Sequence, residues 1–125
     1  MQFLAGRYMN KLTRILKALS NETRLRILNI LFVRDCCVCE IMHVLVISQP
    51  SVSHHLGAMY NAGLLKMRRQ GLFALYSIDW ENLGAYAADL IKAARRGLEG
   101  NELAEEDLRK LANAERILPT CSSAL

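Results

Sequence analysis

The chain has 125 residues, 52% hydrophobic and 22% charged, with a formal charge of +4; this is the size and balance of one folded domain rather than a disordered chain. Its longest apolar run, "IMHVLVI" at 41–47, is too short to cross a bilayer and contains a histidine. The start "MQFLAGRYMNK" lacks the apolar stretch of a signal peptide, so a cytoplasmic, membrane-independent chain with reduced thiols is expected.

Leu4, Tyr8, Leu12, Ile15, Leu16 and Leu19 recur at helical spacing and predict an amphipathic helix over residues 4–19. "SNETRLRILNILF" predicts a second, capped by Ser20 or Asn21, with Leu25, Leu28, Leu31 and Phe32 as its inner stripe. Ile27 and Ile30 widen that stripe, which implies burial on most sides. "CVCEIMHVLV" reads as a short third helix. Ser48 caps a fourth, Pro50 suits its first turn, Val52, Leu56 and Met59 face inward, and Gly63 stops it. In "LLKMRRQGLFALYSID" the period changes to alternation, with Gln70-Gly71 between two runs, so a β-hairpin is expected. A fifth helix is expected from Trp80 to Arg96, carrying Trp80, Leu83, Ala87, Leu90, Ile91 and Ala94 on one stripe, with breaks at Gly97 and Gly100. Asn101 then caps a helix that is acidic at its start (Glu102, Glu105, Glu106) and basic later (Arg109, Lys110), in line with the helix dipole. The tail "LPTCSSAL" reads as loose. The division expected is residues 1–100 as one unit and 101–125 as an appended helix and tail.

This order, ααααββα plus an extra C-terminal helix, is mainly α with a small β-hairpin wing (α+β): a winged helix-turn-helix. On the fourth helix Ser51, His54, His55 and Ala58 share a face turned away from Val52, Leu56 and Met59. That face is small, polar and free of acid, as a base-reading surface in a major groove requires. The hairpin adds "KMRRQG", suited to phosphate or the minor groove. From Ile41 to Ile78 there is no Asp or Glu at all, and residues 1–34 hold seven Lys/Arg against the single acid Glu22. Carboxylates that would repel a polyanion gather near the end instead, at Glu99, Glu102, Glu105, Glu106 and Asp107. The candidates for DNA contact are Ser48, Gln49, Ser51, Ser53, His54 and His55 on the helix, and Lys66, Arg68, Arg69 and Gln70 on the hairpin.

Together "LKALSNETRLRILNIL", "CVCEI", "SQPSVSHHLGAMYNAGLL" and "RRQGLFALYSID" resemble the ArsR/SmtB family of metal-responsive winged-helix repressors, in order from about residue 10 to 80. The resemblance implies a homodimer formed by the first helix and the helix after the wing. It implies repression by binding double-stranded DNA at a near-palindromic operator, with release when an effector binds. By position, the recognition helix is Ser48 to Ala62 and the wing Leu65 to Ile78. Zinc-sensing members use the spacing D-x-H-x10-H-x2-E/H after the wing; here Asp79, Glu81, Lys92 and Arg95 stand there, and a lysine and an arginine cannot be ligands.

Cys36, Cys37 and Cys39 place three of the four cysteines within four positions. "CVCEI" looks like the CVC box of the arsenical-resistance branch, whose further cysteine falls where this chain has Met42. Cys36 offers a third thiol on the other side, and Cys121 a fourth from the tail. On a regular helix Cys37 and Cys39 would lie about 200° apart, unable to grip one ion together, whereas Cys36 and Cys39 would face the same way. Gripping with Cys37 therefore needs a helix start that is irregular or unwound. A helix N-terminus favours the thiolate, the form that binds soft ions. The expected effector is As(III) or Sb(III), with another soft metal ion as the wider class. The alternatives are Cd, Pb or Zn sensing with the same cysteines, or redox sensing through the C-x-x-C pair Cys36 and Cys39. No nucleophile–base pair or phosphate-cradling loop suggests an enzyme.

Overall fold

The computed structural model of the protein describes residues 2–115, and side chains from residue 11 onward. Cys121 and the tail lie outside the described residues, as do the side chains of Leu4 and Tyr8. Four helices come first: α1 (Gln2–Leu19), α2 (Glu22–Val33), α3 (Val38–Leu45) and α4 (Gln49–Asn61). An antiparallel hairpin follows, β1 (Leu65–Gln70) and β2 (Phe73–Ile78), and then α5 (Trp80–Leu83), α6 (Ala85–Gly97) and α7 (Glu102–Asn113). Among the described residues no helix is long and apolar enough to cross a membrane.

Local chemistry sets most boundaries. Asn21 caps α2, its side-chain oxygen accepting from the Arg24 N–H at 3.0 Å, and Asn101 caps α7 through the Ala104 N–H at 3.0 Å. Ser48 caps α4 by accepting from the Ser51 N–H, with Pro50 in the first turn. Each cap satisfies a helix N–H that would otherwise be orphaned. Ile27, Leu28 and Ile30 of α2 are fully buried, as are Ile41 and Val44 of α3 and Leu56 and Met59 of α4. The core therefore sits where these three helices meet.

Two expected boundaries move. The hairpin register pairs Gln70 with Phe73, so the turn is Gly71-Leu72, not Gln70-Gly71. Gly71, at φ +62, takes the turn position that an L side chain resists, and Gln70 stays in the ladder. The single helix expected over 80–96 is two, because Gly84 at φ 81, ψ 165 cannot continue a right-handed helix. Trp80 is consequently not on the inner stripe. It is 43% exposed, set edge-on to Phe32 at 5.4 Å, while Leu83, Ala87 and Ile91 are buried.

The C-terminal helix docks on the core. Leu111 is buried in the main cluster, and the fully buried Asp107 accepts two hydrogen bonds from Arg26, at 2.8 and 2.9 Å. Buried Asn29 donates to the Ala104 carbonyl at 3.4 Å. The Arg34 guanidinium donates to the Leu111 and Ala114 carbonyls at 3.2 and 3.3 Å, closing the C-terminal end of α7.

Candidate effector site and nucleic-acid interface

The segment between α2 and α3 is extended, and this fixes where its cysteines point. Cys36 forms a β-bridge to Tyr76 of the wing: its N–H donates to the Tyr76 carbonyl at 3.1 Å and its carbonyl accepts from the Tyr76 N–H at 2.8 Å. Successive side chains of an extended chain point to opposite faces. The Cys36 side chain accordingly enters the main core, while Cys37 joins Cys39, Leu75 and Phe73 in a second, smaller cluster.

Cys37 is the N-cap of α3, with φ −87 and ψ 168, and so precedes the helix. The helical separation of about 200° does not apply to it. The Cys37 and Cys39 sulfurs lie 2.8 Å apart. The pair that regular-helix geometry would separate is thus the pair brought together, and the C-x-x-C pair Cys36 and Cys39 is divided between two clusters. Because Cys37 stands before the helix, the two sulfurs meet with α3 regular from Val38 onward. Among the described residues no group of three or more His, Cys, Asp or Glu is arranged to hold a metal ion.

Cys37 and Glu40 form a capping box, with cysteine in the place serine or threonine usually takes. Glu40 Oε1 accepts from the Cys37 N–H at 2.9 Å, and its other oxygen is paired with the Arg34 guanidinium. Glu40 is 1% exposed, so this pairing is what makes its burial tolerable. The C-x-x-E spacing is a capping signal legible in the sequence. Burial pushes the Cys37 thiol up, and the Glu40 carboxylate adds to the rise, against backbone N–H groups that favour the thiolate. The helix-terminus effect expected from the sequence is therefore outweighed by desolvation. A groove of about 470 Å³ opens beside Cys39, lined by Met42, His43, Val46, Ile47 and Ser48.

The candidate reading surface lies one helix on, with α3 packed on α4. His54 is exposed and meets His55 edge-on at 5.3 Å. His55 Nδ1 accepts from Arg24 Nε at 3.1 Å. Burial, then the charge of Arg24, then His54 push its pKa down, which holds the ring neutral with Nε2 carrying the proton. Gln49 Nε2 donates to Ser53 Oγ at 2.7 Å, and Ser48 is taken up as the cap. Ser51 and Ser53 are half-buried. On the wing Lys66, Arg68, Arg69 and Gln70 are all exposed. Arg68 donates to Asp35 at 2.9 Å and to Gln70 at 3.5 Å. Asp35 carried no signal in the sequence, because its partner lies 33 residues away.

Val46 ends α3 in the left-handed region, φ 55 and ψ 51, and is 76% exposed. A β-branched residue there is a genuine outlier, and it sits at the turn that joins α3 to the reading helix.

The chain is similar to known proteins in sequence and fold. The family described as "Bacterial regulatory protein, arsR family" matches residues 21–67. The chain is 37% identical over 83 residues to the arsenical resistance operon repressor of Escherichia coli, covering 66% of this chain and 70% of that one. It is 35% identical over 71 residues to the cadmium resistance transcriptional regulatory protein CadC homolog of Staphylococcus aureus, covering 56% of this chain and 59% of the relative. The aligned part thus spans little more than half of that regulator's length. Among solved structures, the homodimeric winged helix-turn-helix DNA-binding domain of Mb0332 from Mycobacterium bovis superposes with a TM-score of 0.65 at 26% identity, covering 78% of this chain and 86% of that one. The winged helix-turn-helix expected from the sequence is the fold observed, and the chain belongs to the ArsR family of bacterial regulatory proteins.

Proposed function

We propose that the protein is a homodimeric transcriptional repressor that leaves its operator when a trivalent arsenic or antimony species bonds to Cys37 and Cys39. The observation that carries this reading is the 2.8 Å separation of the two sulfurs at the start of α3, since one ion can bond to both once they spread slightly. Similarity to an arsenical resistance operon repressor points the same way. The third sulfur of a trigonal site is assigned to Cys36, which would have to turn out of the main core, or to Cys121.

The upward shift of the Cys37 thiol on burial bears on the choice of ion. Arsenic(III) at neutral pH is a neutral trihydroxide. Each As–S bond forms as a thiol proton and an arsenic-bound hydroxide leave together as water, so no net proton has to be expelled. A divalent ion such as Cd2+ must drive the proton off each thiol, and a raised thiol pKa works against it. The burial of Cys37 therefore favours the metalloid over the divalent metals.

The DNA side rests on the acid-free face of α4 and the exposed basic residues of the wing. Dimerisation is assigned to α1 and α6: Leu12 and Leu16 are 38% and 46% exposed and Tyr86 43%, large apolar groups that a second copy would cover. The 2.8 Å separation also favours a second reading, in which peroxide joins the two sulfurs of the fully reduced protein: the two thiols of that form give up two protons and two electrons, and the peroxide leaves as two waters.

The test is titration of the reduced protein–operator complex with arsenite, with Cd2+ and with peroxide in parallel. Near-stoichiometric arsenite should release the DNA by a factor of roughly 5–150 in affinity, with Cd2+ weaker. Retention of the operator under saturating arsenite and antimonite overturns the proposal; release by peroxide alone selects the redox reading.

A further inference from the structure

The sulfur pair is attached to the wing as well as to the helix-turn-helix. Cys36 is joined to Tyr76 by two backbone hydrogen bonds, an isolated antiparallel bridge on the outer edge of β2. The Cys37 and Cys39 side chains pack on Leu75, and Leu75 is the ladder partner of Arg68. Arg68 in turn is ion-paired at 2.9 Å with Asp35, the residue that starts the cysteine segment. Arg68 is thus faced by a carboxylate on its own chain, and it stands directly across the ladder from the side chain that the sulfurs touch.

We infer that Asp35 is a regulatory residue that competes with operator phosphate for the guanidinium of Arg68, and that it couples the sulfur pair to the wing. The inference rests on the repressor reading above and deepens it. A guanidinium binds carboxylate and phosphate through the same two-pronged geometry, so the two acceptors exclude one another. Both partners are part-exposed, at 51% and 36%, so the internal pair is weak enough for DNA to displace. An ion placed between the sulfurs needs room, and the displacement falls on Leu75 and hence on the strand pair that carries Arg68. The effector thereby shifts Arg68 from phosphate toward Asp35.

The experiment is a cycle of Asp35→Asn, Arg68→Ala and the double variant, each measured for operator affinity in the reduced protein at two salt concentrations, with and without arsenite. Asp35→Asn should tighten operator binding by about two- to five-fold, with the gain shrinking at higher salt. The gain should vanish when Arg68 is alanine. Arsenite should release the Asp35→Asn variant less completely than the wild type. Unchanged affinity, a gain that survives Arg68→Ala, or an arsenite response as large as the wild type's each overturns the inference. The first two readouts need no effector, so their failure is distinct from a wild type that ignores arsenite.

Discussion

The cysteine segment and the reading helix stand side by side and are built on opposite terms. Residues 36–41 are all buried, and Glu40 links the Cys37 N–H through Arg34 to the last carbonyls of α7. The outer side of α4 shows His54 and Tyr60 to solvent, and its polar contacts are short-range apart from the bond from Arg24 to His55. The difference separates two tasks. On the proposed reading, the group that reports a ligand is wired into the core, where a small displacement cannot be absorbed. A surface that must accept DNA keeps its polar groups hydrated until the partner arrives.

The contrast can be broken most severely in the buried half. Arg26→Ala leaves the fully buried Asp107 carboxylate without its partner and should cost about 3–5 kcal/mol in denaturant unfolding. A loss below about 1 kcal/mol would mean that α7 is not anchored there.

A smaller, opposite effect is expected at the turn between the two regions. Val46→Gly relieves a left-handed β-branched residue, worth about 1–2 kcal/mol, against a glycine entropy cost of about 0.5–1 kcal/mol. The variant should be more stable by a few tenths to about 1 kcal/mol, read as a rise in Tm. A fall in Tm would show that the Val46 side chain contributes packing that outweighs the strain.

The smallest effect is a pH dependence with two limbs. The fold lowers the pKa of His55 below 6.5, so its contribution is present above 6.5 and is lost as pH falls through the lower folded value. Cys37 is raised above 9.0, so its contribution is present below 9.0 and is lost as pH rises through the higher folded value. Stability should therefore decline outside that window, and His55→Asn, which keeps an acceptor for Arg24, should flatten the acid limb alone. An unchanged acid limb would remove His55 from the account.

What the sequence disclosed followed from locality. The caps at Asn21, Ser48 and Asn101 and the inward set Val52, Leu56 and Met59 depend on neighbours within a turn or two, and all are in place. What it withheld depended on distance or on the sign of a dihedral. Gly84 is the one local sign of φ 81, and a single glycine inside an amphipathic stripe does not by itself fix a break, so one helix is expected where the chain has two. Arg26 and Asp107 are 81 residues apart, which left the acidic helix without an assigned place. For the site, the residue types were legible but their facing was not. One residue's difference, N-cap rather than first helical turn, reverses which cysteines meet.

The most direct measurement is arsenite-driven operator release in a Cys37→Ser, Cys39→Ser variant beside the wild type. Serine at 37 preserves a capping oxygen for α3, so the fold and the operator affinity should be nearly retained while arsenite no longer displaces the DNA. Wild-type release from this double variant would contradict the account, since the effector would then act without the two sulfurs that meet at the start of α3.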